Sequence, residues 1–264
     1  MSTVIELMNQ QQPEMIWILT LACCFTCIFL LNRFFGPAGL YVYIAVAIIG
    51  ANIQVLKAVK FSLYPAPVAL GTILFSSAYL ATDILGEEFG PKVARRGVWL
   101  GFIGYLFFVI MMFLTLGFAP LTPEQAGEAM AWALPFHEFI AALFTPQAAL
   151  FAAGMIAFLT SQLHDVWLFN LLKRKTGGKK LWMRNNISTM VSALIDNTIF
   201  SVLAWIVFAS SPLPFKTVLI TYIFGTYWLR MIVAALDTPF MYLAKQWGYR
   251  GNDYRHDTLA SEMG

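Results

Sequence analysis

The chain has 264 residues, 59% of them hydrophobic and 12% charged, with a net charge of +3. Soluble domains carry about 25% charged residues, and a mean hydropathy of +0.69 excludes an ordinary water-soluble fold. The chain reads instead as a single membrane domain, 1–264, built from spans of about 20 residues, and the weak positive balance without a basic stripe excludes a nucleic-acid partner.

Seven apolar segments follow in order, at about 15–34, 38–58, 66–86, 95–118, 146–172, 185–209 and 216–243. None alternates as a barrel strand does, and lipid satisfies no backbone groups, so each is predicted to be a helix. The expected fold is all-α and polytopic. The first segment holds Cys23, Cys24 and Cys27. The C-x-x-C spacing could suit a metal, but no second Cys or His cluster completes a site, so helix packing is expected and no metal or cofactor is assigned. Residues 1–14 contain Glu6 and Glu14 and no Lys or Arg. That is unlike a secretory signal, so the first segment is expected to persist as a helix.

The second segment carries the amides Asn52 and Gln54, with Lys57 near the outer surface. The third ends in "YLATDILGEEFG", where Asp83 follows a long apolar run and Glu87, one turn on, shares its face. Glu87 and Glu88 are expected at the interface, where solvation suffices, with Arg95 and Arg96 placed to neutralise the acidic turn. The fourth loop, about 119–145, holds Glu124, Glu128 and Glu138 and is expected to form a short interfacial helix around Phe136–Phe144.

In the fifth segment, "TSQLHDVWLFNLLKRK", Gln162 and Asp165 project from one face, with Ser161 a turn before Asp165. His164 lies to the side and is expected to be a hydrogen-bonded structural residue. In the sixth, Thr189, Ser192 and Asp196 make one polar stripe on an apolar helix. The seventh carries Thr226, Arg230 and Asp237. An ionisable residue at a bilayer centre costs about 2.5–3.5 kcal/mol on insertion scales. Arg230 is therefore expected to pair with Asp196 or Asp165.

The odd-numbered loops and the C-terminal tail hold 13 Lys and Arg; the N-terminus and the even-numbered loops hold 3. The excess places the N-terminus outside and the tail, 244–264, in the cytoplasm.

Buried carboxylates, amides and a guanidinium, without a phosphate-binding loop, suit a planar polar ligand. A guanine-like edge offers two N–H donors and a carbonyl; a carboxylate takes the donors, and Gln, Asn or Arg serves the carbonyl. Trp167, Tyr227 and Trp228 are candidates to stack on such a ring, although core packing is the expectation for any one of them. No G-x-x-x-x-G-K-[ST], H-E-x-x-H or G-x-S-x-G occurs, so neither ATP hydrolysis nor enzymatic catalysis is expected.

The stretches "LATDILGEEFGPKVARR" (80–96), "SQLHDVWLFNLLKRK" (161–175), "NISTMVSALIDNTIF" (186–200) and "TYWLRMIVAALDTPFMYLAK" (226–245) resemble the queuosine precursor transporter family, formerly described as a vitamin uptake transporter family. The resemblance implies import of 7-cyano-7-deazaguanine and 7-aminomethyl-7-deazaguanine for tRNA queuosine salvage across a bacterial inner membrane. It also implies a six-helix core, 38–243, similar to the substrate-binding subunits of energy-coupling-factor transporters but working without the ATPase module. The segment 15–34 is then an added helix.

Seven helices are thus expected, with the site between the third, fifth, sixth and seventh. Asp196 and Asp165 are expected to bind the ring donors, and Gln162 and Asn52 the carbonyl or amide groups. Arg230 is either a ligand group or a counter-ion. Asp83 and Asp237 are assigned to gating or coupling; proton symport and facilitated diffusion fit equally, and a homo-oligomer is left open. A substrate-binding subunit that needs an ATPase, and a membrane enzyme or scaffold, are the alternatives.

Overall fold

The computed structural model describes residues 2–62, 64, 67–144 and 148–251. The predicted tail from 252 on, and the starts of the third and fifth predicted segments at 66 and 146–147, lie outside the described residues.

A short helix, α1 (Ser2–Asn9), leads into α2 (Pro13–Gln54), a helical stretch broken at Gly36. Gly36 takes φ 56° and ψ −135°, and Pro37 follows. Only glycine adopts that backbone freely, and proline suits the first turn of the helix that resumes. The break is a reversal. A Cβ on Gly39 would lie 2.6 Å from the Leu31 carbonyl oxygen, whereas residues eight apart in a straight helix are about 12 Å apart. Cys24 likewise contacts Tyr43. The first two predicted segments are therefore the arms of one helical hairpin.

A two-stranded ribbon follows, with β1 (Ala58–Val59) antiparallel to β2 (Val68–Ala69). The third predicted segment is corrected here: its first residues are ribbon, and α3 runs Thr72–Glu88. Pro67 leads into β2, and Gly71, with φ 94°, brings the chain so close to α2 that a Cβ there would meet the Ala51 carbonyl at 2.7 Å.

Next come α4 (Pro91–Leu116), α5 (Pro123–Met130), α6 (Phe136–Phe144) and α7 (Ala148–Lys175). The last two long helices are α8 (Leu181–Val207) and α9 (Phe215–Trp247). Thr122 caps α5 through a reciprocal box with Gln125. The expected helix in the fourth loop is α6; its Phe136 and Phe139 face outward, and Phe144 is buried against Phe108 and Phe151.

Among the described residues, five helices are long and apolar enough to cross a membrane, with the hairpin taken as one; α3, with 17 residues, is slightly shorter. The protein is an all-α, multi-pass membrane protein. Its outer surface is studded with exposed large apolar residues such as Val46, Phe107 and Ile220, as lipid contact requires. Helices meet where side chains are small. Gly97 and Gly101 of α4 lie against Tyr41 and Ile44 of the hairpin, and a Cβ at Gly101 would stand 2.7 Å from Ile44. The interior enclosed by α3, α7, α8 and α9 is, by contrast, polar.

Candidate functional site

Among the described residues, twenty polar or charged ones are buried, and the polar side chains on α3, α7, α8 and α9 stack along the bundle in three tiers. The first tier is the charged pair. Arg230 Nη1 donates to Asp196 Oδ2 at 2.5 Å, and Ser161 Oγ donates to Asp196 Oδ1 at 3.0 Å. The guanidinium lies 5.4 Å from the Phe75 ring centroid, and its Nε is buried without a hydrogen-bond acceptor. Of the two partners expected for Arg230, Asp196 is the one found.

The second tier is acidic. Asp83 and Asp165 lie against each other, with Asp237 close by. Thr189 donates to Asp83 at 3.4 Å, and Asn185 donates to Asp237 at 2.7 Å. Gln162 accepts from Thr82 at 3.0 Å. His164 Nδ1 meets Ser192 Oγ at 2.9 Å, the structural role expected of it. The stripe of Thr189, Ser192 and Asp196 is wholly buried and spans both tiers.

The third tier is at the end of the bundle that bears the Lys- and Arg-rich loops. Glu87 binds Lys173 of α7 (3.1 Å), Arg184 of α8 (2.6 Å) and Lys245 of α9 (3.0 Å). Its side chain is 6% exposed, so solvation does not account for it. Nor do Arg95 and Arg96, which point outward. Asn32 of the hairpin donates to Glu88 at 3.1 Å.

At the opposite end, between the same four helices, is a cavity of about 50 Å³. It is contracted, with room for only a few waters. Asp196 and Arg230 line it, with Phe75, Asn197 and Thr226. Asn197 Nδ2 donates to Thr226 Oγ1 at 2.9 Å and to the Ile223 carbonyl at 3.1 Å, joining α8 to α9.

The sequence-derived site residues divide accordingly. Asp196 and Arg230 reach the cavity. Asn52 lies just behind its wall, where a Cβ on Gly154 would collide with the amide oxygen. Gln162 and Asp165 sit deeper, as do Asp83 and Asp237. The aromatic candidates are elsewhere: Trp167 is 48% exposed on the outer surface, Tyr227 donates to the Met190 carbonyl, and Trp228 packs on Tyr64. The aromatic residues that do line the cavity include Phe75, Trp205 and Tyr222; being apolar letters in apolar runs, they carried no signal in the sequence.

The family model described as "Putative vitamin uptake transporter" matches residues 69–244, which contain the first two tiers and, of the third, Glu87, Glu88, Lys173 and Arg184. The chain is 32% identical over 231 residues to the probable queuosine precursor transporter of Bacillus subtilis (strain 168), covering 87% of this chain and 93% of that protein. The chain belongs to the queuosine precursor transporter family. The matched region begins at β2, so the hairpin lies ahead of it. The family assignment makes the protein a transporter. No solved structure matches it.

Proposed function

We propose that the protein imports the queuosine precursors 7-cyano-7-deazaguanine and 7-aminomethyl-7-deazaguanine across a bacterial inner membrane. The observation that carries this reading is the Asp196–Arg230 pair, buried in the membrane interior yet lining a cavity. A buried pair usually has its remaining polar atoms satisfied. Here Arg230 Nε has no acceptor, and a ligand carbonyl would supply one. Asp196 accepts the adjacent ring N–H donors once it exchanges a partner.

The chain crosses the membrane seven times in this reading, with the N-terminus outside and the tail in the cytoplasm, the orientation that the Lys and Arg distribution supports. The cavity then opens toward the outside. Asp165, Gln162, Asp83 and Asp237 lie between it and the cytoplasmic end, on the route to release, where gating or coupling groups belong. Asn52 supports the cavity wall.

Uptake is the test. Cells that cannot make queuosine, expressing this chain, receive nanomolar deazaguanine, and their tRNA is assayed for queuosine. The expected result is a clear gain over empty vector, and a gain no larger than empty vector defeats the reading. Asp196→Asn at equal expression is expected to lower uptake at least tenfold. Purified protein in liposomes is expected to transport without an ATPase; strict dependence on one would favour a substrate-binding subunit instead.

A further inference from the structure

Both helices that form the mouth of the cavity are locally wound as π-helix. The segment Leu203–Val207 ends α8, and Val218–Phe224 lies near the start of α9. The wider winding is visible in the backbone, where the Phe208 N–H reaches the Leu203 carbonyl, five residues back, at 2.8 Å. Such turns are rare, appear mostly singly, and recur at functional sites. Here two face each other. Each carries one aromatic residue into the cavity lining, Trp205 and Tyr222. Their ring centroids are 4.8 Å apart, with planes inclined at 35°. Trp205 Nε1 is buried and has no hydrogen-bond acceptor.

We propose that Trp205 and Tyr222 are a clamp that binds the heterocyclic ring of the transported ligand, the ring entering between them or against one displaced face. The proposal rests on the transport reading above. Three observations converge on it. The rings are close to stacked on each other, so a planar ligand replaces like with like. The cavity is too contracted for a bicyclic ligand while they touch. A third ring needs about 7 Å between the outer two, twice the ordinary carbon–carbon contact distance, so the pair must part by about 2 Å. Rewinding either π turn toward α geometry re-registers the residues beyond it, which supplies that movement without breaking the helix. The unpaired indole N–H adds specificity, being a donor where a ligand carbonyl or nitrile nitrogen is an acceptor.

The test uses the full chain in lipid nanodiscs with 7-cyano-7-deazaguanine, read by intrinsic tryptophan fluorescence and by equilibrium binding. Binding by the unaltered protein is required first; its absence sinks the transport reading, and the clamp with it. Given binding, Trp205→Ala and Tyr222→Ala are each expected to weaken affinity about tenfold or more, the range that stacking supplies per base. Tyr222→Phe should stay within about threefold, because the ring remains. Trp205→Phe should keep the fold and part of the affinity but lose most of the ligand-induced fluorescence change, whereas Trp167→Phe, on the outer surface, keeps it. Affinity in both alanine variants within twofold of the unaltered protein, or an undiminished fluorescence change in Trp205→Phe, overturns the clamp while leaving transport intact.

Discussion

The two ends of the four-helix interior are closed by opposite means. At the cavity end two tilted rings on π-wound turns touch, and the hydrogen bonds that join α8 to α9 there come from the neutral amide of Asn197. At the basic end a single carboxylate, Glu87 of α3, is gripped by cations from α7, α8 and α9. Stacked rings separate gradually and are readily replaced by another ring. The Arg184–Glu87 pair, shielded from water, has specific geometry and leaves an unpaired charge when one partner departs. In the proposed transport reading, the rings part to admit a ligand while the ion pairs keep the basic end closed.

The sharpest way to break that contrast is to damage the charged pair beneath the rings. Arg230→Ala leaves Asp196 buried without its counter-charge and is expected to cost about 3–5 kcal/mol, read as a large fall in thermal midpoint in detergent. Replacing both partners, Asp196→Asn with Arg230→Gln, should recover much of that stability while uptake stays lost. Recovery of uptake would mean the pair is structural only.

Glu87→Gln attacks the other end. Arg184, whose side chain is fully buried, loses its carboxylate, and a cost of about 3 kcal/mol is expected. Hydrogen exchange should rise around 86–90 and 178–184 and stay unchanged around 203–224. Equal change at both ends would show that they are not separately closed.

Gly154→Ala puts a methyl group where the Asn52 amide sits. An overpacking cost of about 1–3 kcal/mol is expected, with uptake reduced because Gly154 lines the cavity. The smallest effect is expected of Lys245→Ala. Its side chain is 52% exposed, so its bond to Glu87 should contribute under about 1 kcal/mol, measurable as a minor shift at low salt.

What could be read from the sequence follows from what is local. Helix α8 begins and ends within a few residues of its apolar run, and the Phe136–Phe144 helix falls where its pattern predicts. The Asp196–Arg230 pair was legible because a charge at that depth is too costly to leave alone. Glu87 was misread because its partners are 86, 97 and 158 residues away, and proximity in sequence pointed to Arg95 and Arg96 instead. Trp205 and Tyr222 were invisible because an aromatic letter in an apolar run looks the same whether it faces lipid, core or cavity, and π winding leaves no compositional trace. The ribbon strands at 58–59 and 68–69 left a weaker trace: Gly71 argues against a helix running unbroken from 66, but hydropathy outweighed it.

The bend at Gly36 bears on how the chain enters the membrane. No loop separates the two arms of the hairpin, and Tyr249 from the far end of the chain presses on the bend, its ring 2.8 Å from where a Cβ on Gly36 would stand. An arm whose neighbour begins at the very next turn has little freedom to be inserted alone. The 42 residues of α2 are therefore expected to be delivered as one preformed piece, and the seat that Tyr249 occupies cannot be completed until the last helix has been made. A larger residue at position 36 would be strained at the first event and obstructive at the last, so its harm should appear during biogenesis, as protein never assembled, more than in the working lifetime of protein already in place.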